Sequence, residues 1–147
     1  YESAMILFQL GQIDDALFFI ESACEIEPEN KWYLHLLATT YLESSKYLKA
    51  ISAYKKLLEI EPYNEDWTFE LATAYILNNQ YRNAIKAYDQ ALAIEPDMQD
   101  AIANRELLEQ LKQQQQLKKN WVEIIMELKK KKTISKLQNK DYKKQNL

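Results

Sequence analysis

Few residues in this sequence could carry catalytic or metal chemistry, and they do not form a set. A hydrolytic metal site needs clustered histidine and carboxylate ligands, but His35 is the single histidine and Cys24 the single cysteine. Cys24 could act as a nucleophile only beside a base. Asp14 and Asp15 stand at the start of a helical pattern, where carboxylates favour the positive end of the helix dipole. We therefore expect no enzyme activity, no metal site and no cofactor.

The composition narrows the class of protein. The chain has 147 residues, of which 47% are hydrophobic, and a single glycine. This excludes a glycine-rich phosphate loop and argues against a turn-dense β fold. No apolar run approaches the roughly 18 residues of a membrane-spanning helix, and no signal-like segment opens the chain. We expect a soluble, all-α protein. One cysteine leaves the redox compartment open, with a cytoplasmic location preferred to a periplasmic or exported one.

An internal repeat organises the chain. The tripeptide Ile-Glu-Pro occurs at 26–28, 60–62 and 94–96, which sets a 34-residue period. A shift by one period aligns small residues that let two helices approach closely and bulky residues that fill the seam between them. These columns include Ala4, Ala38 and Ala72; Ala16, Ala50 and Ala84; and Ile20, Tyr54 and Tyr88. Each unit is therefore predicted to be a pair of helices.

Turn residues mark the ends of these helices. Proline cannot continue a helix and pushes the preceding residue out of helical geometry, so the three prolines end the units. Gly11, Ser45 and Asn79 tolerate a left-handed backbone or favour turns, and they lie where each pair reverses. The pattern predicts helices near 1–10, 14–27, 31–44, 48–61, 65–78 and 82–95, then a long helix from about 98.

The sequence resembles a tetratricopeptide repeat in two full segments, WYLHLLATTYLESSKYLKAISAYKKLLEIEP at 32–62 and WTFELATAYILNNQYRNAIKAYDQALAIEP at 67–96. A truncated segment that ends GQIDDALFFIESACEIEP at 28 is similar. The resemblance covers 1–97, with units at 1–30, 31–64 and 65–98. It implies a right-handed α-α superhelix, a solenoid whose first helices form a concave groove that binds peptides or proteins. Because the chain starts at Tyr1, part-way through a repeat, we expect a fragment or processed product.

No fourth repeat follows the third. One period after Ala72, Tyr75 and Ala84, the sequence holds Glu106, Glu109 and Lys118 instead of matching residues. Residues 98–116 keep one apolar stripe, which predicts a capping helix over the end of the stack.

The remaining segment, 117–147, is basic. It carries 10 lysines and 3 acidic residues, a net charge of +7, whereas residues 1–116 carry 9 basic and 19 acidic residues, a net charge of −10. Trp121, Ile124, Ile125 and Leu128 follow helical spacing and precede four lysines, which predicts a short amphipathic helix.

Several roles are open for this basic helix. It could dock in an acidic apolar groove of this or a neighbouring array, lie on an anionic membrane surface, or approach nucleic acid. It could also be a solvated extension with a disordered end. Nucleic acid is disfavoured, because the segment lacks arginine and only Trp121 and Tyr142 could stack on bases. Groove docking ranks first among the functional roles.

If the family geometry holds, the groove is lined by first-helix residues that packing does not use. These are Tyr1, Glu2, Met5 and Phe8; Trp32, His35, Leu36, Thr39, Leu42 and Glu43; and Asp66, Phe69, Glu70, Thr73 and Leu77. The set is apolar and acidic. It lacks the lysine, asparagine and arginine with which some family members grip the carboxyl terminus of a chaperone.

This lining predicts a non-enzymatic scaffold for a protein or peptide with apolar anchors and basic flanks, and no small-molecule substrate. The simplest alternative for Trp32, Leu36 and Phe69 is a role in packing alone. The alternative function is a structural subunit of a larger assembly or oligomer, which uses its open N-terminal end and its basic C-terminal helix.

Overall fold

The computed structural model describes residues 1–146, and the regular structure in that range is helical. The helices are α1 (Glu2–Gln9), α2 (Ile13–Ile26), α3 (Lys31–Glu43), α4 (Tyr47–Ile60), α5 (Glu65–Leu77), α6 (Tyr81–Ile94) and α7 (Gln99–Gln145). The helix positions predicted from the repeat are confirmed, with ends that agree to about one residue.

The turn inside each helix pair has the same geometry. Gly11, Ser45 and Asn79 have φ angles of 76°, 60° and 59°, in the left-handed region predicted for them. In each turn, the backbone N–H of the following residue donates to the carbonyl oxygen five residues before it. The donors are Gln12, Lys46 and Gln80, and the N–O distances are 2.9, 2.8 and 2.8 Å. This hydrogen bond closes the preceding helix in a Schellman motif. The first helix therefore ends in the same way in all three pairs.

The corners between pairs are closed by asparagine caps. Asn30 Oδ1 accepts hydrogen bonds from the backbone N–H groups of Trp32 and Tyr33, at 3.1 and 3.2 Å. Asn64 Oδ1 accepts one from Trp67 N–H at 3.0 Å. Each asparagine satisfies amide groups that the start of a helix leaves without a partner. Thus, at the corners predicted at Pro28 and Pro62, the asparagine two positions after the proline stabilises the turn.

The core follows the repeat columns. All six alanines of the two small columns are fully buried, and Ile20, Tyr54 and Tyr88 are at most 1% exposed. The bulky side chains lie on α2, α4 and α6 and point into the seam between helices. Two hydrophobic clusters result, a small one around Ile20 and a large one that runs from Leu34 to Leu108.

The chain divides into two compact units, residues 1–109 and the residues from Gln110 onward. In the first unit, α7 contributes the buried side chains of Ala101 and Leu108. Asn104 Nδ2 donates to the Tyr88 hydroxyl at 3.2 Å, and Arg105 pairs with Asp89 on α6. The start of α7 thus packs against the third helix pair.

The second unit is helical to Gln145, and its described side chains from position 113 onward are exposed. The boundary expected at 116 between a capping helix and a basic helix falls inside α7, which runs through it without a break. None of the helices between residues 1 and 146 combines the length and apolar character that a membrane span requires.

Candidate binding groove

The first helices of successive pairs lie side by side and share one face. The rings of Tyr1 and Tyr33 stack with their centroids 4.9 Å apart, which joins the start of α1 to α3. His35 Nε2 and Glu70 Oε2 are 2.7 Å apart, which joins α3 to α5. We call the face formed by α1, α3 and α5 the groove.

None of the residues predicted to line this groove is buried. Tyr1, Glu2, Met5, Trp32, Glu43, Asp66 and Leu77 are exposed. Phe8, His35, Leu36, Thr39, Leu42, Phe69, Glu70 and Thr73 are partly buried. Three of the second set, Leu36, Leu42 and Phe69, also pack against the core clusters, so they have a structural role as well.

Trp32 is the largest exposed side chain of α3. Its exposed fraction is 58%, whereas Trp67, near the start of α5, is 6% exposed. The Lys31 ammonium lies 5.1 Å from the centroid of the Trp32 ring, a cation–π distance. Lys31 also pairs with Glu61 at the end of α4, and its hydrogen bond, with that of Asn64, lowers the pKa of the Glu61 carboxyl. Trp32 thus stands at the groove edge with its indole largely accessible.

A polar cluster occupies the groove between α3 and α5. The imidazole of His35 stacks on Trp67, with ring centroids 5.7 Å apart and 25° between the planes. Its Nε2 meets the Glu70 carboxylate. The pKa of the Tyr54 hydroxyl is raised, first because Tyr54 is buried and second because the Glu70 charge is nearby. The cluster therefore connects α3 and α5, which are first helices of their pairs, with α4, which lies beneath them.

A related arrangement recurs one period later. The Tyr88 hydroxyl accepts from Asn104, and burial raises the pKa of Tyr88 while the hydrogen bonds of Asn104 and Thr73 lower it. Phe69 meets the Tyr88 ring edge to face at 5.4 Å. Position 104 is one period after Glu70, so the start of α7 takes the place of a further first helix.

The sequence prediction missed the two tyrosines as groove residues. Both residues lie in the packing column of the second helices. The Tyr54 hydroxyl reaches the polar cluster from below, and the Tyr88 hydroxyl reaches Asn104 one period later. The signal that could have found them is chemical: this column changes from isoleucine at position 20 to tyrosine at 54 and 88. A phenolic hydroxyl that is buried usually has a polar partner.

The acidic character of the groove is concentrated in fewer residues than the lining suggests. Glu70 is engaged by His35. The carboxylates of Glu2, Glu43 and Asp66 are exposed. These three are the carboxylates of the predicted lining that are open to solvent. Between residues 1 and 146, no group of three or more histidine, cysteine, aspartate or glutamate side chains is placed to hold a metal ion.

Comparison with known protein families identifies the repeat. Two family models described as tetratricopeptide repeat match the sequence, one over residues 41–111 and one over residues 1–30. Together the two matches cover more than half of the chain. No curated protein matches the sequence.

Solved structures with the same fold have low sequence identity. The first TPR domain of Spaghetti (RPAP3), bound to the HSP90 peptide SRMEEVD, is 19% identical, with a TM-score of 0.68 over 75% of this chain and 87% of that chain. PcrH, in complex with the chaperone-binding region of PopD, is 18% identical, with a TM-score of 0.69 over 76% and 90%.

The type III secretion chaperone SycD of Yersinia enterocolitica, in complex with a YopD peptide, is 15% identical, with a TM-score of 0.69 over 76% of this chain and 91% of that chain. At these identities the likeness establishes the fold, and it confirms the predicted all-α superhelix. Taken with the two family matches, it shows that this chain belongs to the tetratricopeptide repeat family.

Proposed function

We propose that this chain is a protein-interaction scaffold that holds a peptide or helix with apolar anchors and basic flanks in its groove. The observation that carries the proposal is the exposure of Trp32, which is 58% accessible on a face where neighbouring helices already contact each other. Tryptophan is enriched among the residues that dominate binding energy at interfaces.

Exposed apolar side chains occur on all three first helices. Met5 on α1 is 36% exposed and Leu77 on α5 is 45% exposed, with Trp32 on α3 between them. Neighbouring packed helices are about 8–10 Å apart, so these side chains are spread over roughly 20 Å. Trp32 is near the start of α3 and Leu77 at the end of α5, so an amphipathic helix that runs diagonally across the two could present apolar anchors to both.

The charges favour a basic ligand. Glu2, Glu43 and Asp66 are exposed, and the predicted lining contains no lysine or arginine. Lys31, at the edge of the groove, is paired with Glu61. The Spaghetti structure contains an acidic peptide. Such a ligand would meet carboxylates here without cations to balance its charge, so we propose that this groove does not take acidic peptides.

The structural neighbours support the general class of function. Spaghetti, PcrH and SycD are each solved with a peptide or a segment of another protein. Tetratricopeptide repeats are typically interaction modules. The aromatic, hydroxyl and carboxylate groups of this groove make packing contacts and hydrogen bonds with one another. We accordingly propose a non-enzymatic role.

The test is a binding assay with two sets of labelled peptides, measured by fluorescence anisotropy. One set is helical, apolar on one face and lysine-rich, and the other has the same apolar residues with glutamate in place of lysine. We expect the basic set to bind at least about tenfold more tightly, and Trp32→Ala to weaken that binding by at least about tenfold.

Phe18→Ala is the matched control, because Phe18 is an aromatic residue on α2 with an exposed fraction of 66%. It should leave peptide affinity unchanged. Equal binding of the two peptide sets, or unchanged affinity in both Trp32→Ala and Phe69→Ala, would remove the groove proposal.

A second candidate function is that of a structural subunit in a larger assembly. The observation that favours it is the exposure of Ile6, Leu10, Phe18 and Phe19 on the first helix pair, between 45% and 66%. A further helix pair stacked on this surface would bury them, as neighbouring repeats bury each other. In that case Phe18→Ala, and not Trp32→Ala, would reduce the mass of the assembly in light scattering.

A further inference from the structure

The basic part of α7 presents an apolar stripe that has no partner within its own unit. The stripe consists of Leu117, Trp121, Ile124, Ile125 and Leu128, with exposed fractions between 47% and 63%. Residues spaced by three, four and seven positions share one face of a helix. Five large apolar side chains on one exposed face mark a surface that binds another molecule.

Lysines flank this stripe at both ends. Lys118 and Lys119 stand at its start, and Lys129–Lys132 follow Leu128 directly. The segment from 117 carries a net charge of +7, against −10 for residues 1–116. The helix thus has the two properties that the groove requires of a ligand, apolar anchors in one stripe and basic residues on either side.

The dimensions of the stripe match those of the groove. From Leu117 to Leu128 the helix rises by roughly 17 Å at about 1.5 Å per residue. The exposed side chains of Met5, Trp32 and Leu77 are spread over roughly 20 Å if the three first helices have ordinary spacing. Trp32 is near the start of α3 and Leu77 is the last residue of α5, so a helix of this length laid diagonally across α3 and α5 could contact both.

Two tail helices are poor partners for each other. One turn beyond Leu128 the stripe positions hold Lys131 and Lys132, so a paired coil would bring lysines together. Each segment also has the same net charge of +7, which opposes their association. The acidic groove has no such conflict.

The groove that accepts the stripe is best supplied by a second copy. The stripe belongs to the same uninterrupted helix as Ala101 and Leu108, which are buried in the repeat unit. Docking in a second copy places no demand on this helix, so α7 keeps its backbone hydrogen bonds between Leu108 and Leu117.

We propose that residues 117–132 of one copy dock in the groove of a second copy, so that the chain is a ligand of itself and self-associates through its charge-complementary surfaces. This inference rests on the proposed groove function and names its partner.

The first test uses the full chain in light scattering coupled to gel filtration. We expect the wild type to have the mass of a dimer or larger assembly. A stripe variant (Trp121→Ala with Leu128→Ala) and a groove variant (Trp32→Ala) should both elute as monomers. Met126→Ala is the control, because Met126 is 65% exposed but lies on the opposite side of the helix. It should behave as the wild type does.

Mixing the two monomeric variants is the decisive step. The groove variant has an intact stripe and the stripe variant has an intact groove, so together they should form one complex of the mass of two chains. Tail-to-tail pairing predicts instead that the groove variant self-associates alone. That result, or a wild type that remains a monomer at high concentration, would overturn the inference.

Peptide binding separates this inference from the groove proposal. The stripe variant should bind a labelled peptide of residues 117–132 and the lysine-rich helical peptides described above. If it binds those helical peptides but not the 117–132 peptide, the groove proposal stands and self-recognition fails. If it binds neither, both fail. Binding of the wild type to phosphatidylserine vesicles, lost in the stripe variant but without self-association, would assign the stripe to a lipid surface and overturn the inference.

Discussion

Two junctions between helix pairs use equivalent positions with different chemistry. Between the first and second pairs the positions hold Ile20 and Leu36, whereas one period later they hold Tyr54 and Glu70. Ile20 and Tyr54 are buried to the same degree, at 0% and 1% exposure. The helices that meet at the two junctions, α2 with α3 and α4 with α5, have the same bounds in the repeat. The repeat thus sets the stacking, and the side chains at the groove floor give each junction its own chemistry.

The largest effect on stability is expected from truncating the buried side chains of Tyr54 and Ile20 to alanine. Tyr54→Ala should lower the free energy of unfolding by about 4 kcal/mol and Ile20→Ala by about 3 kcal/mol, because each leaves a cavity in a packed seam. Urea titration followed by circular dichroism measures both.

The two variants should also differ in the shape of the transition. Repeats contact mainly their neighbours, so Ile20→Ala should release the first pair in a separate early step, while Tyr54→Ala weakens the middle of the array. Identical single transitions with losses below about 1 kcal/mol would show that these columns do not hold the stack together.

The same junctions also differ on the opposite side of the array. Cys24 lines a cleft of about 480 Å³ between the first and second pairs, and the equivalent residue at the next junction is Leu58. Burial raises the pKa of the Cys24 thiol to about 11. Since the thiolate is the reactive form, iodoacetamide should modify the native chain about 100-fold more slowly at pH 8 than the urea-unfolded chain.

The raised pKa also sets a pH dependence of stability. Between about pH 9 and pH 11 the native thiol stays protonated while the unfolded one ionises, so stability falls as pH rises through this window. Cys24→Leu makes the two clefts alike and should remove this part of the decline. Tyrosine ionisation affects wild type and variant alike, so the difference between them is the contribution of the Cys24 thiol. If the free energy of unfolding falls with pH equally steeply in both proteins, the decline does not come from Cys24.

A smaller effect is expected from removing one hydroxyl. Tyr54→Phe keeps the ring and should cost about 1 kcal/mol, because the polar groups around the hydroxyl lose a partner. Tyr88→Phe is the parallel case, since its hydroxyl accepts from Asn104. Thermal unfolding of both variants measures the cost. A stabilised Tyr54→Phe protein would show that the second junction behaves as an apolar seam like the first.

The smallest effect is expected at the His35–Glu70 pair, whose side chains are 33% and 35% exposed. Solvent weakens such a pair, so a double-mutant cycle of His35→Ala and Glu70→Ala should give a coupling energy of about 0.5 kcal/mol. A coupling near zero would mean that the two side chains are held in place independently.

The features that recur every 34 residues could be predicted from the sequence, whereas the side-chain contacts between neighbouring repeat units could not. The shift by one period locates the helix ends and the left-handed turns at Gly11, Ser45 and Asn79, because local backbone preferences act at those positions. It also identifies the buried alanine columns. The alignment of repeats reports which residues are equivalent, which is sufficient for the fold.

The polar cluster depends on geometry that alignment does not contain. His35 and Glu70 are 35 residues apart, so their contact joins two neighbouring columns of the repeat and not two equivalent positions. The Tyr54 hydroxyl reaches the same place from α4, under the first helices. Such contacts depend on helix rotation and side-chain length, which a pattern of residue types does not specify.

The asparagine caps have a consequence for how such a chain can grow. Asn30 and Asn64 each close a corner by accepting from the amide three residues later. Each also donates to a glutamate three residues earlier, at 2.8 and 3.1 Å. A duplicated copy of residues 31–64, inserted after Asn64, would find an asparagine at both of its boundaries and a partner for every cap. Gene duplication at these corners can therefore lengthen the array by whole helix pairs, because each new corner would have the same asparagine cap.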